Sequence, residues 1–170
     1  MTIRPFRKFS LPLAAATALT GVALLLGAPM ARAADLEVEV SGVTAVSAEK
    51  LAEKNADKAS DKSGQVLVAV YVGADVWLRK PTAVGRAALS ELKDGVVKLR
   101  LSGLPDGPLA ISVFQDLNGN GKLDSNMMGM PTEPYAFSRQ AQGNFGPPSF
   151  DQAALPAGTT RHAIRLPAQP

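Results

Sequence analysis

The segment Asp116-Leu-Asn118-Gly-Asn120-Gly-Lys122-Leu-Asp124 sets oxygen-bearing side chains at alternate positions of a glycine-bent stretch. A hard cation such as calcium takes several oxygen ligands from a curve of this kind. Side chains at loop positions 1, 3 and 5 converge when a glycine at position 6 makes the sharp turn. Asp116, Asn118 and Asn120 hold those positions, and Gly121 is the glycine. Lys122 would offer its main-chain carbonyl at position 7, and Asp124 a carboxylate at position 9, directly or through water. Position 12 is Met127, where an EF-hand carries a bidentate glutamate. Glu133 is the nearest carboxylate after Asp124, and the missing acid could come from there. With two loop carboxylates rather than four, calcium would bind weakly, with a dissociation constant on the order of 10⁻⁴ M or poorer. A plain turn competes with this reading. Asn-Gly, present at 118–119 and again at 120–121, is the strongest short hairpin signal. It explains the asparagines and glycines without an ion, but leaves Asp116 and Asp124 as coincidence.

Other chemistries find fewer residues. Cysteine is absent, so no disulfide, thiolate nucleophile or cysteine zinc site exists. His162 is the sole histidine and falls in an expected strand, which suits a structural role better than a triad or a histidine-rich metal site. Asp116 and Asp124 would be an acid/base pair only if the turn held them at a fixed separation. No glycine-rich phosphate loop with its lysine joins a strand to a helix. The sequence therefore reads as a non-catalytic binding or structural module with no catalytic residues. The alternative is a small hydrolase or carbohydrate-active domain using Asp116, Asp124 or Glu133.

Short strands must position that loop. Leu36, Val38 and Val40 alternate with Glu37, Glu39 and Ser41, the period-two pattern of a strand with one wet face. Residues 65–72 are apolar on both faces, as in a central strand covered on both sides. Further strands are expected over 82–89, 97–102 and 109–114, with a last one at 160–166. Leu104-Pro-Asp-Gly107 is a turn in which Pro105 presets φ and Gly107 accepts a positive one. Between Asp116 and Ala154 lies a long Pro- and Gly-rich stretch. Phe137, Phe145 and Phe150 are spaced through it as expected anchors, so it reads as an ordered loop. Trp77 reads as a plug over the end of the fold rather than a ligand platform. Residues 47–63, rich in Ala, Lys, Glu and Asp with Leu51 their only large apolar side chain, read as a charged insert. The whole predicts a single all-β domain, an antiparallel β-sandwich of transthyretin- or immunoglobulin-like kind with a long ordered loop before its last strand.

The first 33 residues read as a cleavable signal peptide. Arg4, Arg7 and Lys8 precede an apolar run from Leu11 to Ala28, and Ala31-Arg-Ala33 supplies the small-x-small cleavage pattern. The run approaches bilayer-spanning length, but Gly27 and Pro29 ahead of that pattern favour cleavage, after which no membrane span remains. No cysteine follows to carry a lipid anchor. Four of the 18 basic residues and none of the 15 acidic ones lie in this leader, which leaves 14 against 15 and a net charge of −1 over residues 34–170. With no basic excess, nucleic acid is not an expected partner. The expected location is periplasmic or secreted, and the expected partner an envelope component the residues do not name.

A set of landmarks then appears in order: Leu104-Pro105-x-Gly107, Val113-Phe114-x-Asp116-x-Asn118-Gly119-Asn120-Gly121-Lys122-Leu123-Asp124, Gly129-x-Pro131-x-Glu133, Phe137-Ser138, and Pro147-Pro148-Ser149-Phe150-Asp151. From Gln65 to Leu166 the chain resembles the exported bacterial family known as domain of unknown function 2141. The resemblance implies fold and compartment more than activity. It also implies two departures: Gln115 stands where members usually have a histidine, and Ala136 where they often have glycine. Segment 47–63 looks like an insertion relative to that family.

Overall fold

In the computed structural model, residues 34–44 and 64–168 are described. The expected signal peptide and the charged insert 47–63 lie outside them. Alternating apolar residues become strands wherever one face can be buried: β1 (Ala34–Ser41), β2 (Gln65–Val72), β3 (Ala83–Ala88), β4 (Val96–Leu104), β5 (Leu109–Asp116), β6 (Tyr135–Phe137) and β7 (Arg161–Arg165). Among the described residues, one short helix, α1 (Phe150–Ala153), and three single 3-10 turns complete the regular structure.

The strands form two sheets, β4-β1-β7 and β3-β2-β5-β6. Val38 faces Leu99 across the first, and Val68 faces Val113 across the second. Leu36, Val38, Val40, Val97, Leu99 and Ile164 from one sheet share a core with Val66, Val68, Val70, Ile111 and Val113 from the other. Each such side chain contributes about 1.5–3 kcal/mol by leaving water. The protein is thus mostly β, with two sheets around one apolar layer. The wet face of the first sheet carries Glu39–Lys98, Asp35–Arg100 and Glu37–Arg161 ion pairs.

β2 is central in its sheet and buried on both faces, as its composition suggested. Its outer face is covered by loop side chains. Trp77 packs edge-on against Tyr71 at 5.1 Å and lies 5.7 Å and 6.1 Å from Phe137 and Phe150. Its Nε1 donates to the Pro148 carbonyl at 2.9 Å. Trp77 therefore clips the long loop onto the second sheet.

Three details differ from the sequence expectation. The sheets are not wholly antiparallel, because β7 runs parallel to β1, with Val40 opposite Ile164. Only a short hairpin forces antiparallel pairing, and β7 reaches β1 after a long connection from the other sheet. Residues 135–137 and 150–153, expected as loop, form β6 and α1; the three-residue strand is too short to show a period. Phe145, expected to anchor the loop, is fully exposed and sits at φ 58° beside the tight Gly143–Gly146 bend. Phe137 and Phe150 alone of the three are buried.

Candidate functional site: the Asp116–Glu133 loop

The last residue of β5 is Asp116, wholly buried although charged. A buried carboxylate needs donors, and the loop bends to supply them. Asn120 N–H donates to Asp116 Oδ1 at 3.1 Å and Gly121 N–H to Oδ2 at 2.7 Å. Across the ladder, Gln65 Nε2 donates to Oδ2 at 2.8 Å. Two further turns follow the same logic: Asn118 Oδ1 accepts from Asn120 N–H at 3.1 Å, and Asn120 Oδ1 from Lys122 N–H at 2.7 Å. Gly119 and Gly121 take φ values of 70° and 78°, which let the chain curl around the carboxylate.

The curl brings the alternate side chains together. Asn118 Nδ2 donates to Asp124 Oδ2 at 2.6 Å, and Asn120 Nδ2 to Asp124 Oδ1 at 2.9 Å. Asp116, Asn118, Asn120 and Asp124 thus share one hydrogen-bonded cluster, while the Lys122 side chain points to solvent. Glu133 arrives by a route the sequence does not display. β6 pairs with β5 so that Val113 faces Ala136, and Gln115 N–H donates to the Pro134 carbonyl at 2.9 Å. That register continued sets Glu133 opposite Asp116. Its Oε1 accepts from Leu117 N–H at 2.8 Å and its Oε2 from Asp124 N–H at 3.0 Å, so one carboxylate ties both ends of the loop together.

The charges are uneven. Glu133 is buried, and burial pushes its carboxyl above the usual carboxylate range. The two backbone donors pull it back down, and the nearby charges of Asp124 and Asp116 raise it again. Among the described residues, no basic side chain makes an ion pair with Asp116, Asp124 or Glu133. Nor, among those residues, do three His, Cys, Asp or Glu side chains gather closely enough to hold a metal ion by themselves. A cation here would need the mixed set of carboxylate, amide and main-chain oxygens that hard ions accept. Asp116, Asn118, Asn120 and Asp124 bring oxygens of that chemistry into one hydrogen-bonded cluster, and Lys122 would add its main-chain carbonyl. Both oxygens of Glu133 serve backbone donors, as do both oxygens of Asp116, and Glu133 acts as the clasp between the two ends of the loop.

His162 lies elsewhere, on β7, where its Nε2 accepts from Arg139 N–H at 3.1 Å. Burial lowers its pKa, in keeping with a neutral, accepting imidazole. Three polar residues that sequence reasoning left without a role hold the surroundings. Ser138 Oγ, wholly buried, accepts from Ile111 N–H at 2.9 Å and donates to the Ala153 carbonyl at 2.6 Å. Gln115 brackets Thr44, donating to its carbonyl at 2.6 Å and accepting from its N–H at 3.0 Å. Gln65 supports Asp116. The one sequence signal for Ser138 was its place among the ordered landmarks, and that for Gln115 its place where the family usually has a histidine; the contacts of Gln65 and Gln115 become visible only through the β2–β5 pairing and the exit of β1.

Fold and loop together define a small all-β domain with a carboxylate-centred, asparagine-turned loop leaving a central strand. The chain belongs to a family described as an uncharacterized protein conserved in bacteria (DUF2141), whose model matches residues 55–165. The match includes β2 to β7 and begins within segment 47–63; β1 precedes it. No curated protein and no solved structure matches the chain. Among the described residues, no helix is long and apolar enough to cross a membrane.

Proposed function

We propose that this protein is an exported, non-catalytic binding or structural module of the bacterial envelope, with calcium as a structural ligand of the Asp116–Asp124 loop. The fold is of transthyretin- or immunoglobulin-like character, a rigid frame presenting one long loop. One observation carries the reading: three carboxylates, two of them buried, surround a single loop with no basic partner among the described residues. A divalent cation offsets that charge with the oxygens at hand. It would draw Asp116 and Asp124 toward itself, relieve the repulsion felt by Glu133, and stiffen the start of a loop whose remainder is held by Trp77, Phe137 and Phe150.

The commitments of these acids also favour a non-catalytic role over hydrolysis. Acid/base work needs a carboxylate within reach of a substrate proton. Asp116 and Glu133 are buried, and all four of their oxygens accept hydrogen bonds from the protein.

Thermal unfolding in excess calcium and in chelator, at matched ionic strength, tests the proposal. Calcium at a hundredfold over its dissociation constant stabilises by about 2.7 kcal/mol, a rise of several degrees in Tm. At the expected affinity this requires roughly 10 mM calcium. An unchanged Tm at that concentration removes calcium from the account.

A further inference from the structure

Beyond Asp124 the chain forms a hairpin of its own. Ser125 bridges Pro131, Asn126 N–H donates to the Met130 carbonyl at 2.9 Å, and Thr132 N–H donates to the Asp124 carbonyl at 2.8 Å. The tip is a tight turn in which Gly129 N–H donates to the Asn126 carbonyl at 2.9 Å, followed by Gly129 at φ 77°. That is a three-residue hairpin loop with a glycine bulge. Asn126 braces it from within, its Oδ1 accepting from Met128 N–H at 2.9 Å and Met130 N–H at 3.0 Å. What this braced tip displays is Met127, Met128 and Met130, which are 105%, 85% and 60% exposed.

These three are every methionine downstream of the leader, since the other two of the five are Met1 and Met30. Among the described residues, the apolar core is built from Val, Leu, Ile, Ala, Phe and Tyr71, without one methionine. A tip meant only to be apolar had those residue types available. Three thioethers within four residues, on a turn braced by the hydrogen bonds of Asn126, are a different chemical choice. Thioether sulfur is a soft, uncharged ligand, and such ligands select copper(I) over hard divalent ions. Uncharged donors suit a monovalent ion, whose single charge needs no carboxylate in the first ring of ligands. Each side chain swings on three rotatable bonds, so sulfurs rooted on neighbouring turn positions can close on one ion from three sides. The chain has no cysteine to compete for it.

We propose that Met127, Met128 and Met130 form a surface site for a soft monovalent cation, copper(I) in particular, at the tip of the 124–132 hairpin. The ion binds as copper(I), with no change of oxidation state. The site is independent of the calcium reading: it uses sulfur rather than oxygen and lies beyond Asp124 in the chain.

Silver(I), a redox-inert substitute for copper(I), is the probe. The full chain, labelled at the methionine methyl carbons, is titrated with silver(I), and one equivalent should shift the methyl resonances of all three residues. The triple variant M127L/M128L/M130L keeps size and apolarity while removing sulfur. It should keep the wild-type Tm, because the residues are exposed, and weaken silver(I) and copper(I) uptake by more than about tenfold, as loss of ligand-sphere groups commonly does. Calcium should leave the three methyl signals where they are. Unmoved signals under silver(I), or equal uptake by the triple variant, would overturn the proposal. Signals that stay put under silver(I) and move only with phospholipid vesicles would overturn it in favour of an apolar contact.

Discussion

Replacing the clasp is the sharpest perturbation of the loop. In Glu133→Gln the side chain keeps one acceptor oxygen, but its second terminal atom becomes an NH₂ group. Leu117 N–H and Asp124 N–H now donate to both oxygens of Glu133, so one of them must face a donor instead. Hydrogen bonds to a charged group are worth about 1.5–3 kcal/mol each, and a buried donor left without a partner costs about 1–3 kcal/mol. Against this stands the burial that raises the Glu133 pKa, which the amide escapes. We expect Glu133→Gln to lose about 2 kcal/mol at neutral pH and Glu133→Ala about 3–4 kcal/mol. Urea unfolding followed by Trp77 fluorescence and by far-UV circular dichroism gives the value. With a slope of about 2 kcal/mol per M, the midpoint of the amide variant falls by about 1 M. The sign of the pH dependence is also fixed. A carboxyl whose folded pKa is raised contributes stability that is full below the ordinary carboxylate range and is lost as pH rises through the raised value. The deficit of Glu133→Gln should therefore narrow as pH rises through that window. A variant as stable as wild type throughout would refute the clasp, and a deficit that widens with pH would refute the raised pKa of Glu133.

Ser138→Ala should leave Ile111 N–H and the Ala153 carbonyl without their shared buried partner, at a cost of about 1–3 kcal/mol. Because this anchor lies under the loop that Trp77 clips, the fluorescence transition should move by at least as much as the circular dichroism transition. His162 has a folded pKa depressed by burial, so its contribution is present above the ordinary imidazole range and lost as pH falls through the depressed value. His162→Gln, which keeps an acceptor for Arg139 N–H, should flatten that acid-side loss in a series of urea midpoints.

Much of the strand pattern was legible along the chain, because a strand half in water must alternate. Leu36-x-Val38-x-Val40 and the doubly apolar 65–72 segment carry their burial in their own order. The loop from Asp116 to Asp124 was also legible, since asparagine, aspartate and glycine dictate a local turn, and the hydrogen bonds among its own residues span six residues or fewer. Contacts between distant parts of the chain were not. That Glu133 closes the loop depends on the register of β6 against β5, and a three-residue strand has no period to announce it. That β7 joins β1 in parallel, and that Phe145 is left in solvent while Phe137 and Phe150 are buried, depends on how a long connection crosses from one sheet to the other. Local residue type selects a conformation through forces acting over a few bonds. Partners brought together across tens of residues are selected by the packing of the whole, and only the assembled sheets decide them.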